Sequence, residues 1–147
     1  MRQITGSLNA HRQMVIDVVV QPAQVFVPGV EPTPWVPASN VSILRGLIDT
    51  GAGGTCITRS AARAMGLRPR GKARVGGVSG IEYHNRYRFV LGALYEDKAE
   101  RGYFWFDEVN GADFRDNDDF DVLIGMDVIG QGDLHVFRSG RFTWELY

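Results

Sequence analysis

Apolar and polar positions along this chain fall into short, strand-sized blocks rather than long helical stripes. Met14-Val15-Ile16-Asp17-Val18-Val19-Val20 is dense in β-branched side chains, which pack well on an extended, pleated backbone, and it is predicted as a strand. Another precedes it within Gln3 to Ala10. Five of the six prolines then fall between Pro22 and Pro37. Proline has no N–H to give to a ladder, so this segment is expected as an extended surface loop within a single domain, 1–147. Val41 to Ile48 resumes strand character. Thr58 to Met65, rich in alanine and arginine, predicts one short helix with Gly66 at its C-cap. Lys72 to Val75 and Ile81 to Leu91 read as strands around a turn at Gly76 to Gly80, and Phe104 to Val109 as another strand. An acidic loop follows, from Asp113 to Asp119, and then a buried run from Val122 to Ile124. A short helix is expected near Met126 to Ile129. Leu134 to Phe137 and Phe142 to Leu146 flank Ser139-Gly140 as a closing hairpin. Many short strands, tight turns and one or two small helices predict an all-β, partly closed barrel.

The chemistry sits where one strand ends. Leu47-Ile48-Asp49-Thr50-Gly51-Ala52 is an apolar run closed by a carboxylate, a hydroxyl, a glycine and a small residue, which puts an acid at the border of core and water. A motif this short is weak alone. Downstream, Asp121-Val122-Leu123-Ile124-Gly125-Met126-Asp127 repeats the same order of buried strand, glycine turn and short helix. Its Gly125 lies 76 residues beyond Asp49 (125 minus 49). Hydrolysing a peptide bond without a metal or covalent nucleophile needs one group to activate water and another to polarise the carbonyl, and two carboxylates sharing one proton do both. The second turn has no acid before its glycine, so a second copy of the chain has to supply the other aspartate.

Four features together resemble the retropepsin-type aspartic proteases, the one-domain family related to retroviral proteases. They are Asp49-Thr50-Gly51-Ala52, the helix-like Ser60 to Leu67, the hairpin Val75-Gly76-Gly77-Val78-Ser79-Gly80, and Leu123-Ile124-Gly125-Met126-Asp127. The resemblance runs from about Ile43 to Ile129. It implies a barrel that is one half of a two-fold dimer, with a mobile hairpin as its flap. It implies that the two copies of Asp49 meet on the dimer axis, Thr50 braces the two loops across it, and Gly51 donates to the acid while Ala52 keeps the mouth of the site small. Gly76, Gly77, Val78, Ser79 and Gly80 would fold over an extended peptide or protein substrate. Two carboxylates about 3 Å apart repel by roughly 5 kcal/mol at an effective dielectric of about 20, so the pair is expected to hold a single proton and to give a bell-shaped pH profile. Two departures stand out. Met126 and Asp127 replace the arginine that many retroviral relatives carry after the second glycine, and about 48 residues precede Asp49, which argues against the usual dimer sheet of terminal strands.

Composition narrows the function further. A chain of 147 residues holds one core, and a net charge of −1 argues against a nucleic-acid partner. The basic series Arg59, Arg63, Arg68, Arg70, Lys72 and Arg74 then reads as a solvated face. No apolar run is long enough for a signal peptide or membrane span, so no membrane association and a cytoplasmic location are expected. The single cysteine, Cys56, excludes an internal disulfide and a cysteine metal cluster and is expected as a small buried apolar residue. The acidic loop lacks the glycine and glutamate of a calcium loop, and His11, His84 and His135 lack ligand spacing, so no metal and no cofactor are implied. Besides a homodimeric aspartic endopeptidase, two readings stay open. One is a catalytically silent dimer that binds peptides. The other treats Gly51-Ala52-Gly53-Gly54-Thr55 as a phosphate-binding loop, which lacks the lysine of a P-loop.

Overall fold

A computed structural model describes residues 1–24, 27–31 and 41–147. Among them run β1 (Arg2–Ser7), β2 (Met14–Pro22), β3 (Leu44–Ile48), β4 (Cys56–Thr58), α1 (Arg59–Ala64), β5 (Lys72–Gly77) and β6 (Gly80–Glu96). They are followed by β7 (Arg101–Trp105), β8 (Val109–Phe114), β9 (Val122–Ile124), α2 (Met126–Ile129), β10 (Gly132–Val136) and β11 (Arg141–Leu146). The class is all-β with two short helices, as the sequence pattern implies. The predicted proline-rich loop lies largely outside the described residues.

One sheet nearly closes on itself. Its order is β2-β3-β9-β4-β8-β6, and β6 returns to pair with β2, completing a ring of six strands. Most neighbours are antiparallel, but β3 runs parallel to β9 and β4 parallel to β8. The 17-residue β6 ties the parts together, pairing in turn with β5, β8, β2 and β7. A second sheet, β1-β11-β10, joins the two ends of the chain. In β11 the alternation is strict: Phe142, Trp144 and Leu146 are fully buried while the residues between them face outward. Phe106 stacks on Trp144 with ring centroids 5.3 Å apart. In β2, Val18, Val19 and Val20 are all buried, so both faces of this strand are covered. Each such side chain contributes about 1.5–3 kcal/mol by leaving water.

The first helix forms where propensity and capping agree. The Thr58 hydroxyl accepts from the Ala61 N–H at 3.3 Å, and Gly66 ends the turn with φ of +71°, a conformation that a Cβ disfavours. Two expectations need correction. The stretch Phe104 to Val109 is not one strand: β7 ends at Trp105 and β8 begins at Val109, with the chain turning at the polar Asp107 and Glu108. Asp113 does not open a solvated loop either. It belongs to β8 and is buried, because His84 Nδ1 lies 3.0 Å and Arg59 Nε 3.4 Å from its carboxylate. Arg59 stays exposed, as expected of the solvated basic face, while its Nε reaches the buried carboxylate. No helix among the described residues is long and apolar enough to cross a membrane.

Candidate active site

β9 is threaded between β3, its parallel neighbour, and β4, its antiparallel one. The connection from β3 to β4, residues 49–55, must therefore pass over the C-terminal end of β9, where the Gly125 turn begins. Two loops distant in sequence are forced together, and their backbones bond. The Asp49 N–H donates to the Ile124 carbonyl at 2.9 Å, the Met126 N–H to the Ala52 carbonyl at 2.8 Å, and the Asp127 N–H to the Gly53 carbonyl at 3.2 Å. The approach leaves no room for a side chain: a Cβ on Gly125 would stand 2.6 Å from the backbone of Gly54.

Asp49 is half-buried at the lip of this crossing. Its Oδ1 accepts the Gly51 N–H at 2.9 Å, and its carbonyl accepts the Ala52 N–H at 3.2 Å, closing a tight turn. Among the described residues nothing bonds Oδ2, so one carboxylate oxygen is held by the protein and the other is open to water. Thr50 is exposed, with no hydrogen-bond partner for its hydroxyl among the described residues, and Ala52 is half-buried. Asp49, Thr50, Gly51 and Ala52 form one unit.

The residue that locks this unit was missed in the sequence. Thr55 is 2% exposed; its hydroxyl accepts the Gly125 N–H at 3.1 Å and donates to Asp127 Oδ1 at 2.7 Å. The same carboxylate oxygen accepts the Val128 N–H at 3.0 Å, in the first turn of α2. The only sequence signal was a hydroxyl residue between two glycines and a strand. The phosphate-loop reading, which used the same residues, does not survive. This loop leads into β4 rather than a helix, so no helix N-terminus stands behind it, and the Thr55 hydroxyl donates to the Asp127 carboxylate instead of facing an anion.

The glycine-rich hairpin forms in the expected place. β5 and β6 pair from Lys72↔Asn85 to Gly77↔Gly80, leaving Val78 and Ser79 as a two-residue turn. The structure does not bring this tip to Asp49. Val78 is fully exposed, and a Cβ added at Gly76 or Gly80 would meet nothing within 4 Å. At its base, His84 bridges Asp113 and Glu82, at 3.0 and 3.1 Å, tying the hairpin to the barrel. Cys56, just beyond the crossing, is half-buried rather than buried. Burial raises its thiol pKa first, and the charges of Asp127, Asp113 and Asp49 raise it further.

A family model described as aspartyl protease matches residues 40–128, which is 89 of the 147 positions (128 minus 40, plus one). Among solved structures, this fold is similar to the crystal structure of a retropepsin-like aspartic protease from Rickettsia conorii. The TM-score is 0.57 with 14% identity, over 98% of this chain and 90% of that one. No curated protein sequence matches. With a closed strand ring, an acid-bearing turn crossed by a glycine turn, and a family match over more than half its length, this chain belongs to the aspartyl protease family and has its retropepsin-like fold.

Proposed function

We propose that this chain is one subunit of a homodimeric aspartic endopeptidase whose active site forms when two copies of Asp49 meet across a two-fold axis. The observation that carries this reading is the state of Asp49. One of its carboxylate oxygens is fixed by the Gly51 N–H, and the other is left open at the lip of a rigid crossing of two loops. A single such acid lacks the second group that peptide hydrolysis needs.

In the dimer the two acids hold one proton between them. The ionised one takes a proton from a water lying between them as its oxygen attacks the scissile carbonyl carbon, and the protonated one delivers its proton to the carbonyl oxygen. Collapse of the tetrahedral adduct then breaks the C–N bond: the departing nitrogen takes the proton now held by the first acid, and one hydroxyl of the adduct returns its proton to the second, which leaves an amine, a carboxylic acid and a pair that again holds one proton. Thr50, exposed beside Asp49, braces the partner loop across the axis. Residues Gly76 to Gly80 close over an extended peptide; the absence of contacts around the tip gives the hairpin room to move.

The test is a peptide-library digest with the purified protein and with Asp49→Asn, at several pH values. Cleavage by the first and none by the second, with both equally folded, is the expected result. Equal cleavage by both overturns the mechanism, and no cleavage by either leaves the peptide-binding dimer as the better reading.

A further inference from the structure

We propose that a second copy of this chain docks along the open edge of β10. The two β10 strands then pair antiparallel about a two-fold axis at Leu134, joining the two three-stranded sheets into one sheet of six. This inference rests on the reading of Asp49 as half of a shared acid pair, and it names the surface that brings the halves together.

The choice of edge comes from counting which are taken. β11 has both edges occupied within its own chain, by β1 over Arg2↔Leu146 to Ser7↔Arg141 and by β10 over Gly132↔Leu146 to Val136↔Phe142. Partner strands therefore cannot interleave at β11. β1 packs against β2 and β6 of its own chain, and Arg2 is anchored 3.2 Å from Glu100 and over the ring of Tyr95. Within this sheet that leaves β10, which pairs only with β11 among the described residues; β5 and β7 also pair on one edge only, with β6, but neither lines the cleft beside Thr50.

Beside β10 lies a cleft of about 520 Å³ lined by Gly132, Asp133, Leu134 and His135 together with Thr50 and Met126. Successive residues of a strand point to opposite faces, so four in a row lining one cleft means that it follows the backbone edge. Exposed apolar side chains flank it: Val136 is 53%, Phe137 50% and Met126 44% exposed. An unpaired edge with apolar neighbours is a template for another strand. A second copy is the occupant because Thr50, next to Asp49, borders the same cleft, and the site lacks only what an identical chain carries.

Charge selects the register. Centring the axis on Asp133 opposes two carboxylates, and centring it on His135 opposes two imidazoles. Centring it on Leu134 sets each Asp133 opposite His135 of the partner subunit. Within the chain, Asp133 accepts from the Tyr147 hydroxyl at 3.0 Å and His135 lies 3.9 Å from Glu145, so both side chains already sit on the exposed side of the strand.

Single cysteines test the register in a Cys56→Ser background, which removes the only native thiol. Both sites are exposed, so Asp133→Cys and His135→Cys are compatible with folding. Under mild oxidation, a mixture of the two variants should give a covalent dimer. Each alone should give less than about a tenth as much, because identical positions sit roughly 8 Å apart, beyond disulfide reach. Separately, Val136→Lys with Phe137→Lys should raise the dimer dissociation constant about tenfold or more, measured by sedimentation. Cross-linking by one variant alone as readily as by the mixture, or an unchanged dissociation constant, overturns the interface. So does a monomer that takes an extended peptide onto β10. Asp49-dependent cleavage without mixed cross-linking sinks the interface and spares the peptidase reading; mixed cross-linking in a chain that cleaves nothing does the reverse.

Discussion

Replacing Thr55 by valine keeps the shape of the side chain and deletes one hydroxyl, which makes it the cleanest probe of the loop crossing. The hydroxyl serves two partners, the Gly125 N–H at 3.1 Å and Asp127 Oδ1 at 2.7 Å. Gly125 is buried, so its N–H would lose its partner with no water to replace it, at about 1–3 kcal/mol. Asp127 is exposed and keeps the Val128 N–H, so water makes up most of that loss, leaving below about 1 kcal/mol. The extra methyl of valine offsets up to about 1 kcal/mol by burial. A net destabilisation of about 2 kcal/mol is expected, and at about 2–4 °C per kcal/mol for a domain near this size the melting temperature should fall by about 4–8 °C. Thermal unfolding followed by circular dichroism measures it, with Thr55→Ser as the control that restores the hydroxyl and loses only a methyl, at about 1 kcal/mol. Peptidase activity per folded molecule should also drop for the valine variant, because Gly125 and Asp49 are held to one crossing. A valine melting temperature within about 1 °C of wild type, or a serine variant as damaged as the valine one, would refute the reasoning.

Gly125→Ala should be worse, since its Cβ would meet immobile backbone of Gly54 at 2.6 Å; a loss of about 3 kcal/mol or more is expected in denaturant titrations, and an unchanged midpoint would contradict the close crossing. Cys56 should react slowly with a thiol reagent at neutral pH and faster only as pH rises, because burial first and neighbouring carboxylates second hold its pKa above the usual value and deplete the thiolate. Disulfide-exchange kinetics as fast as those of an unstructured peptide would show the thiol to be more open than described. The cleavage rate should be bell-shaped in pH with an acidic to mildly acidic optimum, since the pair loses its base when doubly protonated and its acid when fully ionised. A profile flat into alkaline pH would exclude a shared proton.

Local chemistry was legible in the sequence, and long-range pairing was not. The acid turn after Ile48, the glycine turn at Gly125, the helix capped by Thr58 and closed by Gly66, and the Ser139-Gly140 hairpin all stand where short-range patterns place them. The rest depends on partners distant along the chain. Thr55 meets Asp127 across 72 positions, so nothing in its neighbourhood marks it as a lock. Asp113 looks like part of an acidic loop until β6 brings His84, 29 positions away, against it. β6 itself runs past Leu91 to Glu96 because it changes partners along its length, and periodicity records the alternation of faces but not the identity of neighbours. The pairing of β1 with β11 joins residues almost a full chain apart, and it decides which edge is left for a second copy.

The most direct test of the shared acid pair is subunit mixing. A fixed amount of wild-type protein is titrated with folded Asp49→Asn chains, allowed to exchange, and assayed for peptide cleavage. If each site needs an Asp49 from two chains, activity should fall towards zero as mutant subunits capture wild-type ones, and wild-type activity per chain should itself decline on dilution below the dimer dissociation constant. Cleavage that stays constant through the titration, at concentrations where mixed dimers are shown to form, would mean that one chain hydrolyses peptides without the other.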